Sequence, residues 1–138
     1  MTDRPDLAAM VVPLGRELLA AEQEVLDRHD VTMWGYIVLT ALCDNPIRTQ
    51  SALAAAIGAD KTRIIPVLDD LAERSMIGRR PDPDDRRARL LEITTRGRDI
   101  QRRIQREIQN GERAWLDRLT PTQRTHFLAA LEALSTAN

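Results

Sequence analysis

Between Arg79 and Thr94 the chain reads Arg-Arg-Pro-Asp-Pro-Asp-Asp-Arg-Arg-Ala-Arg-Leu-Leu-Glu-Ile-Thr, so five arginines flank a Pro/Asp turn signal. A guanidinium stays charged across the physiological range, only donates hydrogen bonds, and matches phosphates and base edges with its planar fork. That chemistry suits holding a polyanion better than it suits catalysis. The residues an enzyme would need do not form a workable set: His29 and His126 lie far apart, Cys43 is the lone cysteine, and no glycine-rich phosphate loop occurs. A metal site would need several converging ligands, and His29 with Glu22 or Asp30 is too thin a set. The expectation is a non-enzyme with no cofactor and no metal.

The arginines need elements that aim them. Ser75 to Arg80 leads into a short strand, Pro81 to Asp85 supplies turn chemistry, and Arg89 to Ile93 reads as a return strand with Leu91 and Ile93 inward. Such a hairpin is a wing, and an arginine near its tip can enter a minor groove while its neighbours neutralise phosphates. Asp85, beside Arg87, is placed to orient that guanidinium. A solvated hairpin whose opposite charges pair with one another is the alternative on these residues alone.

Upstream, Thr49-Gln50-Ser51 opens a short helix that runs through Ile57 with Leu53, Ala54 and Ile57 inward, and Gly58 ends it. Asp60 then caps a second helix that turns Ile64, Val67, Leu68 and Leu71 inward. Two short helices joined by a tight turn make a helix-turn-helix. Its second helix would present Lys61, Thr62, Arg63, Ile65 and Pro66 to a major groove. Pro66 supplies no amide hydrogen and biases Ile65 away from helical geometry, so a kink or a widened first turn is expected there. Ile65 either contacts a thymine methyl or packs under the wing.

The run Asp85-Arg86-Arg87-Ala88-Arg89-Leu90-Leu91-Glu92-Ile93-Thr94-Thr95-Arg96-Gly97 resembles the wing signature of the MarR (multiple antibiotic resistance regulator) family, with Asp85, Arg87, Leu91, Ile93, Thr94 and Gly97 at the pattern positions. The likeness extends upstream through Leu53-Ala54, Asp60, Leu68, Asp69, Leu71 and Arg79 to Pro83. It implies a dimeric winged helix-turn-helix transcription factor on double-stranded DNA, usually a repressor of a palindromic operator that is released by a small molecule or an oxidant. By position, Thr62, Arg63, Ile65 and Pro66 would face the major groove, and Arg87 would enter the minor groove with Asp85 bracing it. Arg86 and Arg89 would hold phosphates, and Thr49, Gln50, Ser51 and Lys61 complete the candidate DNA-contact set. Ile65 and Pro66 depart from the family, which often has small polar and basic residues there. The resemblance also places an effector pocket where the terminal helices meet the winged region, so Arg16, His29, Trp34 and Tyr36 are its candidates. The expected effector is small and hydrophobic or phenolic.

Around this middle the pattern is helical and amphipathic. Leu7, Val11, Leu14, Leu18, Ala21 and Val25 form a narrow stripe on a first helix that Pro13 should bend or loosen. A second helix, Thr32 to Leu42, starts at the Thr32 cap and turns Ile37, Val38, Ala41 and Leu42 inward. Ile100, Ile104, Ile108, Trp115, Leu116 and Leu119 mark a long helix capped by Thr94 or Thr95. Thr120-Pro121-Thr122-Gln123 is a capping box ahead of a last helix that buries Phe127, Leu128, Leu131 and Leu134.

The chain is 138 residues long, 43% hydrophobic and 30% charged, enough for one domain and one moderate core. So small an interior cannot cover every apolar stripe, so a homodimer built by the terminal helices is expected, with a monomeric bundle as the alternative. The reading is mainly α: one domain over residues 1–138, dimerisation helices in 1–30 and 98–138, and a winged helix-turn-helix in 32–97.

The net charge of −1 conceals a division. Residues 1–60 carry 4 basic and 9 acidic side chains, residues 61–106 carry 13 and 8, and residues 107–138 carry 3 and 4, which confines the positive excess to the middle. No apolar run approaches the roughly 18 residues of a membrane span, and no export signal is evident, so a cytoplasmic location without membrane contact is expected. Two alternatives remain at this level: a non-sensing architectural DNA-binding or protein-interaction module, and a thiol-based redox sensor acting through Cys43.

Overall fold

The computed structural model describes residues 3–135. In chain order they form α1 (Leu7–His29), α2 (Met33–Asp44), β1 (Ile47–Thr49), α3 (Gln50–Ile57), α4 (Ile65–Glu73), β2 (Ile77–Asp82), β3 (Asp85–Ile93), α5 (Thr95–Leu116) and α6 (Pro121–Ser135). The fold is mainly α, a winged helix-turn-helix between long terminal helices.

Threonines start four of the helices. Thr32, Thr49 and Thr94 each accept a hydrogen bond at Oγ1 from the amide three residues on, at 3.0 Å. Thr120 does the same for Gln123 at 3.2 Å, and the Gln123 side chain accepts from the Thr120 amide at 3.0 Å, which completes the capping box. Gly58 closes α3 in the left-handed conformation at φ 67°, where a side chain would be strained. α1 runs unbroken through Pro13 instead of loosening there. The missing amide deprives only the Ala9 carbonyl, on an exposed face where water can satisfy it.

Pro66 has a larger effect. Regular helix begins only at Ile65, with Pro66 in its first turn, where the absent amide costs nothing. Residues 61–64 coil as a separate turn that Asp60 caps, its Oδ1 accepting from the amides of Thr62 at 2.8 Å and Arg63 at 3.3 Å. The cap residue of α4 itself is Ile64, so Asp60 caps the approach to the helix and not its first turn.

The sheet is antiparallel in the order β1-β3-β2, which puts Arg48, Leu91 and Arg79 side by side. β1 was not expected: three residues carry no periodicity, and their pairing with β3 is non-local. β3 also starts at Asp85, four residues earlier than the sequence suggests. Asp82 tightens the turn at 83–84 by accepting from the Asp84 amide at 2.9 Å. The pairing skips from Pro81 opposite Arg89 to Asp82 opposite Asp85, so Arg86, Arg87 and Ala88 bulge out without partners on β2.

The core is aliphatic. Leu39, Leu42, Leu53, Leu68 and Leu91 are fully buried where α2, α3 and α4 meet the sheet, and Leu26 from α1 and Ile104 and Ile108 from α5 close it. Each such leucine contributes about 1.5–3 kcal/mol. In α2 the inward residues are Gly35, Val38, Leu39 and Leu42, whose spacing defines one face of the helix; Ile37 and Ala41 lie off that face and are only half-buried. Gln101 is also buried and donates to Thr40 Oγ1 at 3.2 Å. Farther out, Phe127, Leu128, Leu131 and Leu134 of α6 are exposed in the single chain and not buried as their spacing suggested. No helix among the described residues is long and apolar enough to cross a membrane.

Candidate nucleic-acid interface

Three segments distant in sequence meet around one cleft of about 310 Å³, lined by Thr49, Gln50, Ser51, Lys61, Arg87, Ala88 and Arg89. The start of α3 forms one wall, the turn before α4 supplies Lys61, and the bulge of β3 supplies the other wall. Beside it, Thr62, Arg63, Ile65 and Pro66 form an exposed face. Ile65 is 41% exposed and is not part of the buried core. Arg86 is exposed on the same bulge.

Three acidic residues nearby, Asp60, Asp82 and Asp85, accept hydrogen bonds from backbone amides. Asp85 Oδ1 accepts from the Arg87 amide at 3.0 Å, so it braces the main chain of the bulge and not the guanidinium, as the sequence had suggested. Two residues along a bulged strand, the carboxylate meets the amide before it can reach the end of a side chain that extends outward. Asp60 and Asp82 are likewise turned to amides. Arg86, Arg87 and Arg89 form no ion pair with described residues, so the self-paired hairpin is not realised. The wing's own ion pair is at its base, where the Arg79 guanidinium meets the Asp69 carboxylate and ties β2 to α4. The result is a concave surface lined by Lys61, Arg87 and Arg89 and by no carboxylate, suited to phosphates.

The four effector candidates do not come together. Arg16 is exposed on α1. His29 Nε2 lies 3.0 Å from Glu107 Oε1, and Arg28 pairs with the same carboxylate at 3.2 Å; these bonds hold Glu107 below the usual carboxylate range. Trp34 lines a groove of about 300 Å³ with Gly58, Ala59, Asp60, Arg63, Ile64 and Val67, none of them another candidate. Tyr36 is half-buried, and burial pushes its phenol up.

Sequence reasoning missed a crevice between α1 and α5 where Glu22 and Glu112 meet Trp115. Burial raises both carboxyls, and Glu112 raises Glu22 further. Only the folded pairing of α1 with α5 brings these residues together, so no local pattern could have revealed them. Cys43 is half-buried with its thiol raised by burial, opposed by Arg98 and Arg102, which disfavours the reactive thiolate. Among the described residues no group of three or more His, Cys, Asp or Glu could hold a metal ion.

A short helix pair set beside a cationic β-hairpin defines the winged helix-turn-helix class. The sequence model of the MarR family matches residues 32–88, and the chain belongs to the MarR family. It is 32% identical over 104 residues to a protein of Thauera aromatica whose name assigns it to transcriptional regulation of the hcr operon; the match covers 75% of this chain and 63% of that protein's length. In sequence it is 29% identical over 111 residues to the multiple antibiotic resistance protein MarR of Escherichia coli, covering 72% of this chain and 74% of that one. The crystal structure of that protein without ligand superposes with a TM-score of 0.85, covering 96% and 98% of the two chains at 20% identity. The regulator PcaV of Streptomyces coelicolor, solved with its natural ligand, matches at 26% identity over 99% of both chains with a TM-score of 0.70.

Proposed function

We propose that this chain is a sequence-specific DNA-binding transcriptional regulator, a homodimeric repressor of a palindromic operator that a small hydrophobic or phenolic effector releases. One observation carries the reading: the start of α3, the turn before α4 and the bulge of β3 converge on a single cleft that Lys61, Arg87 and Arg89 line without any carboxylate beside them in the lining. In this reading Thr62, Arg63, Ile65 and Pro66 face the major groove, and Arg87 enters the adjoining minor groove. Lys61, Arg86 and Arg89, with Thr49, Gln50 and Ser51, hold phosphates. Residues 32–97 act as the reading head, and residues 1–30 and 98–138 join two copies. Exposed Leu7, Val11, Leu19, Phe127, Leu131 and Leu134 support that pairing, since a monomer rarely leaves so much apolar surface open. The protein works by binding and not by catalysis, in the cytoplasm. For the effector, support comes from the ligand-bound PcaV relative.

Footprinting on genomic DNA tests the reading. Protection of one inverted repeat with half-site centres about one helical turn apart is expected. Uniform protection would sink it in favour of an architectural module. Arg86→Ala should lower the salt slope of binding by about one unit.

A further inference from the structure

The corner where α4 passes into β2 is gripped from both sides by the terminal helices. Arg74, the cap residue of α4, donates from Nη1 to the Asp30 carbonyl at the end of α1 at 2.6 Å, and the same nitrogen lies 3.5 Å from Asp70 Oδ2. From the other side, Arg96 in α5 donates from Nε to the Arg74 carbonyl at 3.1 Å. Thr94 adds two bonds, from Oγ1 to the Ser75 carbonyl at 2.7 Å and from its amide to the Met76 carbonyl at 3.0 Å. Gly97 packs so closely that any Cβ there would overlap the Met76 carbonyl oxygen. Backbone conformation marks the same corner. Among the described residues only Asp30 (φ 54°) and Ser75 (φ 60°) are non-glycine residues with positive φ, and both flank Arg74. Such conformations persist only where the surroundings hold them.

We propose that Arg74 is a positioning residue that fixes the angle between α4 and the helices that join two copies, and thereby sets the half-site spacing the dimer accepts. The proposal rests on the dimeric operator-binding reading given above. The Arg74 side chain is 27% exposed against 61% for Arg28, so its guanidinium is the better shielded of the two. One nitrogen, Nη1, serves both the carbonyl and the carboxylate, so a lysine ammonium could take over part of the contact, while a neutral amide that keeps no charge and less reach could not. The geometry is sensitive. α4 spans nine residues, roughly 13 Å, so a tilt of about 15° at its C-terminal end moves its start by about 3.5 Å, the rise of one base pair. Loosening the corner therefore broadens spacing tolerance without altering any group that faces DNA.

The test uses the full-length protein and an inverted-repeat duplex selected from a random pool, with versions that insert or delete one base pair between half-sites, and a single half-site. Wild type should favour one spacing. Arg74→Gln should keep half-site affinity and the salt slope while its preference between spacings falls at least about tenfold, Arg74→Lys should recover part of it, and Arg28→Gln should match wild type. Arg96→Gln loosens the corner from the other side and should flatten the preference as well, which keeps the test intact if Arg74→Gln fails to fold. An unchanged spacing ratio in Arg74→Gln, or an equal loss of affinity on all spacings and on the half-site, overturns the proposal. If wild type itself shows no spacing preference, the dimeric operator reading falls and takes this proposal with it, a result distinguishable because it precedes any substitution.

Discussion

Leu68 and Leu131 are the same residue type at the same helical periodicity, yet Leu68 of α4 is fully buried and Leu131 of α6 is half exposed. The contrast extends to whole regions. In the winged part, α2, α3, α4 and the sheet close over Leu39, Leu42, Leu53, Leu68, Leu71 and Leu91. In the terminal helices, burial stops at Val25 and Leu26 in α1 and at Ile108 in α5, and α6 has no buried residue at all. Leu7 is 64% exposed and Leu134 is 78% exposed. The winged region is thus closed by its own residues, whereas in the outer terminal helices Phe127, Leu128 and Leu131 of α6 line an apolar crevice with Leu14 and Leu18 of α1 and Trp115 of α5 that the chain leaves half open. An amphipathic stripe states that a face is apolar; whether the same chain covers it depends on what the fold brings there.

The largest expected effect lies in the closed region. Leu68→Ala should cost about 2–5 kcal/mol in urea unfolding, independent of protein concentration, because it opens a cavity that neighbours cannot fill. Leu131→Glu should instead weaken self-association by about 2 kcal/mol, roughly 30-fold, read by sedimentation, while leaving near-UV signals of the folded chain in place. A concentration-independent loss as large as that of Leu68→Ala would break the contrast, since both regions would then form one closed core. Arg87→Ala sharpens it from another side. This substitution should reduce operator affinity by roughly tenfold in fluorescence anisotropy and leave the unfolding midpoint unchanged, because the side chain is exposed and unpaired.

The smallest effect falls inside the terminal region, where α1 meets α5. Glu22 and Glu112 have carboxyls raised by burial, so their stabilising contribution is full below the ordinary carboxylate range and is lost as pH rises through the folded values. Glu107 is lowered by its bonds from His29 and Arg28, so its contribution is present above that range and is lost as pH falls through its folded value. Glu22→Gln should therefore raise the thermal midpoint slightly at pH 7, with the gain vanishing near pH 4. A gain independent of pH would show that the crevice does not penalise charge there.

Much of the fold was legible because its signals are local. Thr32, Thr49, Thr94 and the Thr120–Gln123 pair cap helices within three residues of themselves, and Gly58 ends α3 by its own conformational freedom. The candidate site was legible as a set of residues, since turn chemistry and arginine spacing announce a wing, and the family resemblance added the groove-facing face of α4. Its construction was not. The bulge that carries Arg86 and Arg87, the turn of Asp85 toward the backbone, and β1 all depend on pairing with strands elsewhere in the chain.

The sequence by itself determined where α2, α3, α5 and α6 begin, that the helices are amphipathic, and that positive charge is concentrated in the middle of the chain, because caps, periodicity and charge act over one or two turns. Only the tertiary structure decided that Thr49, Lys61 and Arg87 share one cleft, that Arg74 joins the ends of three helices, and that the apolar face of α6 stays open. Those outcomes depend on which segments meet, and burial and hydrogen bonding at a meeting point are properties of both sides at once.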